Sequence, residues 1–250
     1  MTNKYMFFIA NWKMHGDQKS LNSLNKVIKF SRSRKNYKNK LIYCPPYTLL
    51  NHFVKKLKGT KIMVGAQNCN ENENFGPFTG SINCRMIKNS GAQYVIIGHS
   101  ENRIEGDNNY LINKKIKSAI KSNLNIIFCI GETLLEKRKK LTHRILKTQI
   151  SQALKNIKLK KNILFSYEPV WSIGTGIIPK IDDLQININF IRNFLVNRYN
   201  IKKPKILYGG SVNEKNIKLL KKIKGNNGFL IGTASLNTKK FIDIVKKTFI

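Results

Sequence analysis

The amino-acid sequence predicts an α/β fold, a single-domain (β/α)8 barrel over residues 1–250 in which eight parallel strands are surrounded by helices. Three observations carry this expectation. Short apolar runs recur eight times, separated by longer stretches with helical spacing. The runs lack the two-residue alternation of a sheet wetted on one face, so both faces are covered, as in a parallel sheet. The length of 250 residues suits eight strand–helix units, and no Pro/Gly/Ser-rich linker divides the chain. An open, doubly wound sheet is the alternative. It calls for fewer strands and a glycine-rich first turn, and Gly16 completes no GxGxxG pattern.

The strands are read in order. Tyr5–Ala10 breaks into Asn11-Trp12-Lys13, and Leu41–Cys44 and Lys61–Gln67 follow. Gln93–Ile97 breaks into Gly98-His99-Ser100-Glu101; Asn125–Ile130 is the fifth run. Asn162–Tyr167 leads into Glu168-Pro169, Lys205–Tyr208 into Gly209-Gly210-Ser211, and Gly228–Ile231 into Gly232-Thr233. Between them, Leu111, Ile112, Ile116, Ala119 and Ile120 mark one helix face, and Leu184, Ile188, Ile191 and Leu195 another. Asp107 and Asp182 are placed to cap or charge helix starts. In a barrel of this kind chemistry belongs at the carboxyl ends of the strands, which is where the polar breaks fall. Taken singly, a histidine after a strand or a glutamate before a proline is ordinary. Their joint placement on one rim is not.

Composition narrows the class. Lys and Arg number 46 against 13 Asp and Glu, a net charge of +33, while 41% of residues are hydrophobic, too many for a disordered polycation. No apolar run reaches the ~20 residues that span a bilayer, and Met6–Ala10 is too short for a secretory core. Lysine is spread along the whole chain, mixed with Asn and Ile, and no basic stretch is interleaved with aromatics as single-strand binding would want. Nucleic acid and membrane are therefore not expected as partners; a basic barrel with an added RNA- or polyanion-binding role is kept as the alternative. Cys44, Cys69, Cys84 and Cys129 lie far apart without CxxC pairs, so they are read as reduced thiols, not a disulfide framework or a metal site.

The motifs at the breaks resemble those of the triosephosphate isomerase family. Asn11-Trp12-Lys13-Met14-His15-Gly16, Gly65-Ala66-Gln67-Asn68, Phe78-Thr79-Gly80, Gly98-His99-Ser100-Glu101 and Cys129-Ile130-Gly131-Glu132 carry the likeness. So do the run from Tyr167 to Gly176, Tyr208-Gly209-Gly210-Ser211-Val212, and Gly228 to Leu236. The resemblance extends from Phe8 to Leu236, in order and at family spacing. It implies interconversion of dihydroxyacetone phosphate and glyceraldehyde 3-phosphate without metal or organic cofactor, in glycolysis and gluconeogenesis, by a cytoplasmic homodimer. It assigns Glu168 as base, His99 as the uncharged proton shuttle, and Lys13 and Asn11 as catalytic groups that also bind substrate, beside Trp12. Gly174, Ser211, Gly232 and Thr233 bind the phosphate, Glu101 and Ser100 stand behind, and Thr79 contacts a second subunit. The lid spans Pro169–Gly176. Ser172 stands where the family's lid usually carries Ala, and Thr233 replaces the second glycine of a Gly-Gly pair. Ser81 and Asn102 replace a Glu and an Arg that pair across the family's dimer interface, and Ile104–Asp107 lacks the usual aromatics.

Overall fold

The computed structural model describes residues 5–33, 38–158 and 163–250. The strands are β1 (Met6–Asn11), β2 (Asn39–Cys44), β3 (Met63–Ala66), β4 (Tyr94–Ile97), β5 (Asn125–Ile130), β6 (Ile163–Tyr167), β7 (Lys205–Tyr208) and β8 (Gly228–Ile231). They form a closed barrel in chain order, all neighbours parallel, with Phe8 opposite Leu41 of β2 on one side and Phe229 of β8 on the other. Each expected run holds one strand, its ends shifted by two residues at most; Asn162, first residue of the sixth run, lies outside the described residues. An open sheet is excluded because β8 pairs with β1.

Closure also explains why the runs lack alternation. Phe7, Ile9, Ile42, Cys44, Ile127 and Leu207 pack inside the barrel. Phe8, Ala10, Leu41, Tyr43, Phe128 and Phe165, from intervening positions, pack outward under the helices. Successive strand side chains point to opposite faces, and here both faces are dry. The same parity runs past the strand ends. Asn11 follows Phe7 and Ile9 toward the inside, and Glu168 follows Leu164 and Ser166. Trp12 follows Phe8 and Ala10 outward, where its ring meets Phe53 edge-on at 5.0 Å and Tyr43 at 6.2 Å.

Both expected helix faces are buried. Ile112, Ile116 and Ala119 line the core side of Asn109–Lys121, with Leu111 and Ile120 half-buried at its margins. Leu184, Ile188, Ile191 and Leu195 do the same for Ile181–Tyr199, whose first turn holds Asp182 and Asp183 near the positive end of the helix dipole. Asp107 is a correction. The cap is the next residue, Asn108, whose side chain accepts the Leu111 N–H at 2.9 Å. Asp107 instead forms a buried ion pair with Lys115, its oxygens 2.6 and 2.8 Å from Nζ. Asparagine also caps Cys84–Asn89 and Thr238–Phe249, so an Asn-rich composition supplies good helix starts. Among the described residues no helix is long and apolar enough to cross a membrane.

Candidate active site

The rim at the carboxyl ends of the strands gathers the polar breaks around one cavity of about 570 Å³, lined by Asn11, Lys13, His99, Ser211, Gly232 and Thr233 among others. Lys13 is held into it by its own backbone. It has φ of 53°, the left-handed region that costs a residue with a Cβ about 1–3 kcal/mol unless its surroundings impose it. Those surroundings are specific. The Lys13 N–H donates to Asn11 Oδ1 at 3.1 Å. Its carbonyl accepts from Gln67 Nε2 at 2.9 Å, and the same amide reaches the Cys44 carbonyl at 2.8 Å. The ammonium then meets Glu101 Oε1 at 2.5 Å.

His99 precedes the short helix Ser100–Ile104, and its Nδ1 accepts the Glu101 N–H at 3.3 Å. A ring nitrogen that accepts carries no proton, so the hydrogen of the uncharged imidazole sits on Nε2. Nε2 faces Glu168 Oε2 at 3.7 Å. Glu168 is 1% exposed, yet no N–H or O–H among the described residues donates to either of its carboxylate oxygens. Two glycines permit its position. A Cβ on Gly131 would lie 1.8 Å from the Glu168 carbonyl oxygen, and one on Gly209 would lie 2.6 Å from Glu168 Cγ. The Cys129 thiol lies alongside; burial, and then the Glu168 charge, push it well above the ordinary thiol range. Beneath His99, Arg103 donates to the Gly98 carbonyl at 2.8 Å and to the Cys129 carbonyl at 3.3 Å, tying two strand ends together. Burial holds its guanidinium below the usual arginine value.

Gly174, Ser211, Gly232 and Thr233 line the same cavity. Thr233 begins the turn Thr233–Ser235 and is absent from the left-handed residues, so the threonine meets no backbone penalty there. The Ser172 hydroxyl donates to the Ile177 carbonyl at 2.7 Å, lies 3.1 Å from Tyr208 Oη, and accepts the Ser211 N–H at 3.4 Å. The turn Val170–Ser172 is anchored at Trp171, whose Nε1 donates to Glu132 Oε1 at 3.1 Å. Among the described residues, no His, Cys, Asp or Glu cluster is arranged to hold a metal ion.

The comparisons with known proteins agree with this geometry. The family model described as triosephosphate isomerase matches residues 6–248. The chain belongs to the triosephosphate isomerase family. It is 41% identical to the triosephosphate isomerase of Aquifex aeolicus over 245 residues, covering 94% of this chain and 96% of that protein. It is 38% identical to that of Buchnera aphidicola over 248 residues, 97% of each chain. A solved triosephosphate isomerase structure from Bartonella henselae superposes with a TM-score of 0.89 at 33% identity, covering 98% and 99% of the two chains.

Within this family member, the structure brings Asn11, Lys13, His99, Gly174, Ser211, Gly232 and Thr233 to one cavity, with Glu168 buried against His99. Glu101 contacts both Lys13 and His99 from behind. Ser100 is buried at the helix start. Trp12 is the exception: strand parity turns it into the packing between barrel and helices, and it lines no part of the cavity. Thr79 stands apart, exposed in the loop after β3. Gln67 and Arg103 were given no role from the sequence. Only their carbonyl partners on other strands reveal what they hold, and no spacing rule announces those.

Proposed function

We propose that Glu168 and His99 are the base and the proton shuttle with which this triosephosphate isomerase interconverts dihydroxyacetone phosphate and D-glyceraldehyde 3-phosphate, a step shared by glycolysis and gluconeogenesis. Glu168 removes a proton from the hydroxymethyl carbon, and the electron pair moves into the carbon–carbon bond as the carbonyl oxygen gains charge. His99 Nε2–H donates to that oxygen, then recovers a proton from the neighbouring hydroxyl. Return of the first proton from Glu168 to the adjacent carbon gives the aldehyde. Lys13 offsets the developing enediolate charge and Asn11 orients the substrate. Main-chain N–H groups near Gly174, Ser211, Gly232 and Thr233 hold the phosphate dianion. Closure of 169–176 excludes water from the intermediate.

The reading rests chiefly on the unsatisfied Glu168 carboxylate. A buried carboxylate without N–H or O–H donors is costly, and a fold retains one where a reacting proton is its partner. Replacing Glu168 by Asp retracts the carboxylate by one methylene. Turnover of glyceraldehyde 3-phosphate in a coupled assay is expected to fall about 10²-fold or more, with binding of the unreactive analogue glycerol 3-phosphate nearly unchanged. Turnover equal to that of the parent would remove Glu168 from the role.

A homodimer belongs to the same proposal. The loop 70–83 carries exposed Phe75, Phe78 and Thr79, and contains Glu71 and Glu73 but no Lys or Arg, in a chain of charge +33. An acidic, apolar-tipped loop suits the basic surface of a second copy. A smaller cavity of about 210 Å³, lined by Lys13, Gln67, Glu101 and Asn102 among others, opens beside the catalytic groups and offers such a loop a seat. Ser81 and Asn102 leave no charged pair to form there, so apolar contact carries the interface. A reducing cytoplasm suits the four free, buried thiols.

A further inference from the structure

The interior of the barrel holds a polar side chain beneath the Glu168 carboxylate. β6 reads Ile163-Leu164-Phe165-Ser166-Tyr167 and is buried throughout, with Ser166 a small hydroxyl among apolar and aromatic residues. Its neighbours in register are Cys129 of β5 and Leu207 of β7, both of which pack inside the barrel. Residues paired across parallel strands share a face, so Ser166 points inward with them, two positions before Glu168. The Ser166 hydroxyl is fully buried and has no hydrogen-bond partner among the described residues.

Both carboxylate oxygens of Glu168 are unpartnered as well, and the two orphaned groups meet at Gly209. The place that a Cβ on Gly209 would take lies 2.6 Å from Ser166 Oγ and 2.8 Å from Glu168 Oε1. Because position 209 is glycine, no side chain stands between these oxygens. Their separation cannot exceed those two distances laid end to end, which is the reach of one bridging water. A buried hydroxyl without an acceptor and a buried carboxylate without a donor are each costly, and each is what the other lacks. The titratable and charged groups that face Glu168 come from other elements. His99 Nε2 lies 3.7 Å away at the end of β4, with Glu101 and its partner Lys13 behind it. The Cys129 thiol flanks it from β5, and Arg103 of the helix after β4 acts on it through charge.

We propose that Ser166 is a positioning residue for the base: the two side chains turn toward each other and the Ser166 hydroxyl donates to Glu168 Oε1, directly or through one water. The inference rests on the reading of Glu168 as the base. A hydroxyl that donates to a carboxylate favours its charged form over its neutral one. Glu168 then stays ready to accept the carbon-bound proton at a lower pH than it would without Ser166. A carboxylate held from below also has less freedom to turn away from the substrate carbon, and small misplacements of a reacting group are costly. Ser166 lines no part of the cavity, so it acts on the base and not on substrate binding.

The test is the pH dependence of glyceraldehyde 3-phosphate turnover in the parent, Ser166→Ala and Ser166→Thr. In Ser166→Ala the acid limb of the kcat profile is expected to move to higher pH by about one unit. Plateau kcat is expected to fall about tenfold, with KM changed by less than about twofold. Ser166→Thr keeps a hydroxyl and is expected to hold the limb where the parent has it. An unmoved limb in Ser166→Ala, or a rise in KM in place of the fall in kcat, would overturn the proposal. Lower stability of Ser166→Ala in urea with an unmoved limb would make Ser166 a packing residue only. Should Ser166→Thr fail to fold, the limb in Ser166→Ala decides alone. Glu168→Gln is measured beside them. If it retains turnover, the reading of Glu168 as base fails; if it loses turnover while the Ser166→Ala limb stays put, the role of Ser166 alone fails.

Discussion

Ser172 and Glu132 show how single side chains hold the segment that follows β6. The Ser172 hydroxyl, where the family usually has a methyl, ties the turn 170–172 to the Ile177 carbonyl, Tyr208 Oη and the Ser211 N–H. Glu132 accepts hydrogen bonds from Trp171 at 3.1 Å and from Tyr167 Oη at 3.2 Å, with Lys137 Nζ lying 3.7 Å over the Trp171 ring. Burial raises the Glu132 carboxyl above its ordinary value despite these donors. The folded state therefore keeps this proton to a higher pH than the unfolded chain does. Stability from this group is greatest below the unfolded carboxyl's pKa and is lost as pH rises through the raised folded value. Glu132→Gln removes that loss while leaving an acceptor for Trp171. Denaturant unfolding of parent and variant across the acid-to-neutral range is expected to show the variant's advantage growing with pH. A difference constant with pH would show that the carboxylate is not the cause.

At the scale of elements, the loop–helix connection around Asn109–Lys121 depends on one buried ion pair. Asp107 and Lys115 are 8% and 5% exposed, and Asn68 at the end of β3 supplies the third contact to Lys115. Lys115→Met leaves a buried carboxylate alone and is expected to cost about 3–5 kcal/mol in urea unfolding; pairing it with Asp107→Leu is expected to recover most of that loss. Equal losses in the single and double variants would mean that packing, not charge, is at stake. The helix itself was legible from its apolar spacing, and its apolar face was placed correctly. The role of Asp107 was not, because a carboxylate one residue before a cap reads as the cap until a lysine two turns along the helix is seen to reach back to it.

For the whole molecule, charge is the open physical term. Like charges along helix faces destabilise by about 0.2–0.5 kcal/mol per i,i+4 pair, and the net charge of +33 adds long-range repulsion. Moderate salt screens both, so the melting temperature is expected to rise from low to moderate ionic strength, by about 2–4 °C for each kcal/mol of repulsion removed. A flat response would show that the charges are already compensated. The same repulsion opposes the proposed assembly of two basic copies. Sedimentation at micromolar concentration is expected to show a dimer that tightens as salt rises. A monomer with full activity at that concentration would rule the dimer out as the working form.

What the sequence determined by itself is everything governed by short-range periodicity. The eight apolar runs, the two apolar helix faces, and the polar breaks at the strand ends follow from local composition and helical spacing, which act within a few residues. Tertiary structure alone decided which distant groups touch: the His99–Glu168 approach, the hold of Gln67 on Lys13, the meeting of Trp12 with Phe53, and the Asp107–Lys115 pair. These contacts join residues on different strands, helices or turns, so they exist only once the barrel has closed. No local pattern encodes the angle at which it does so.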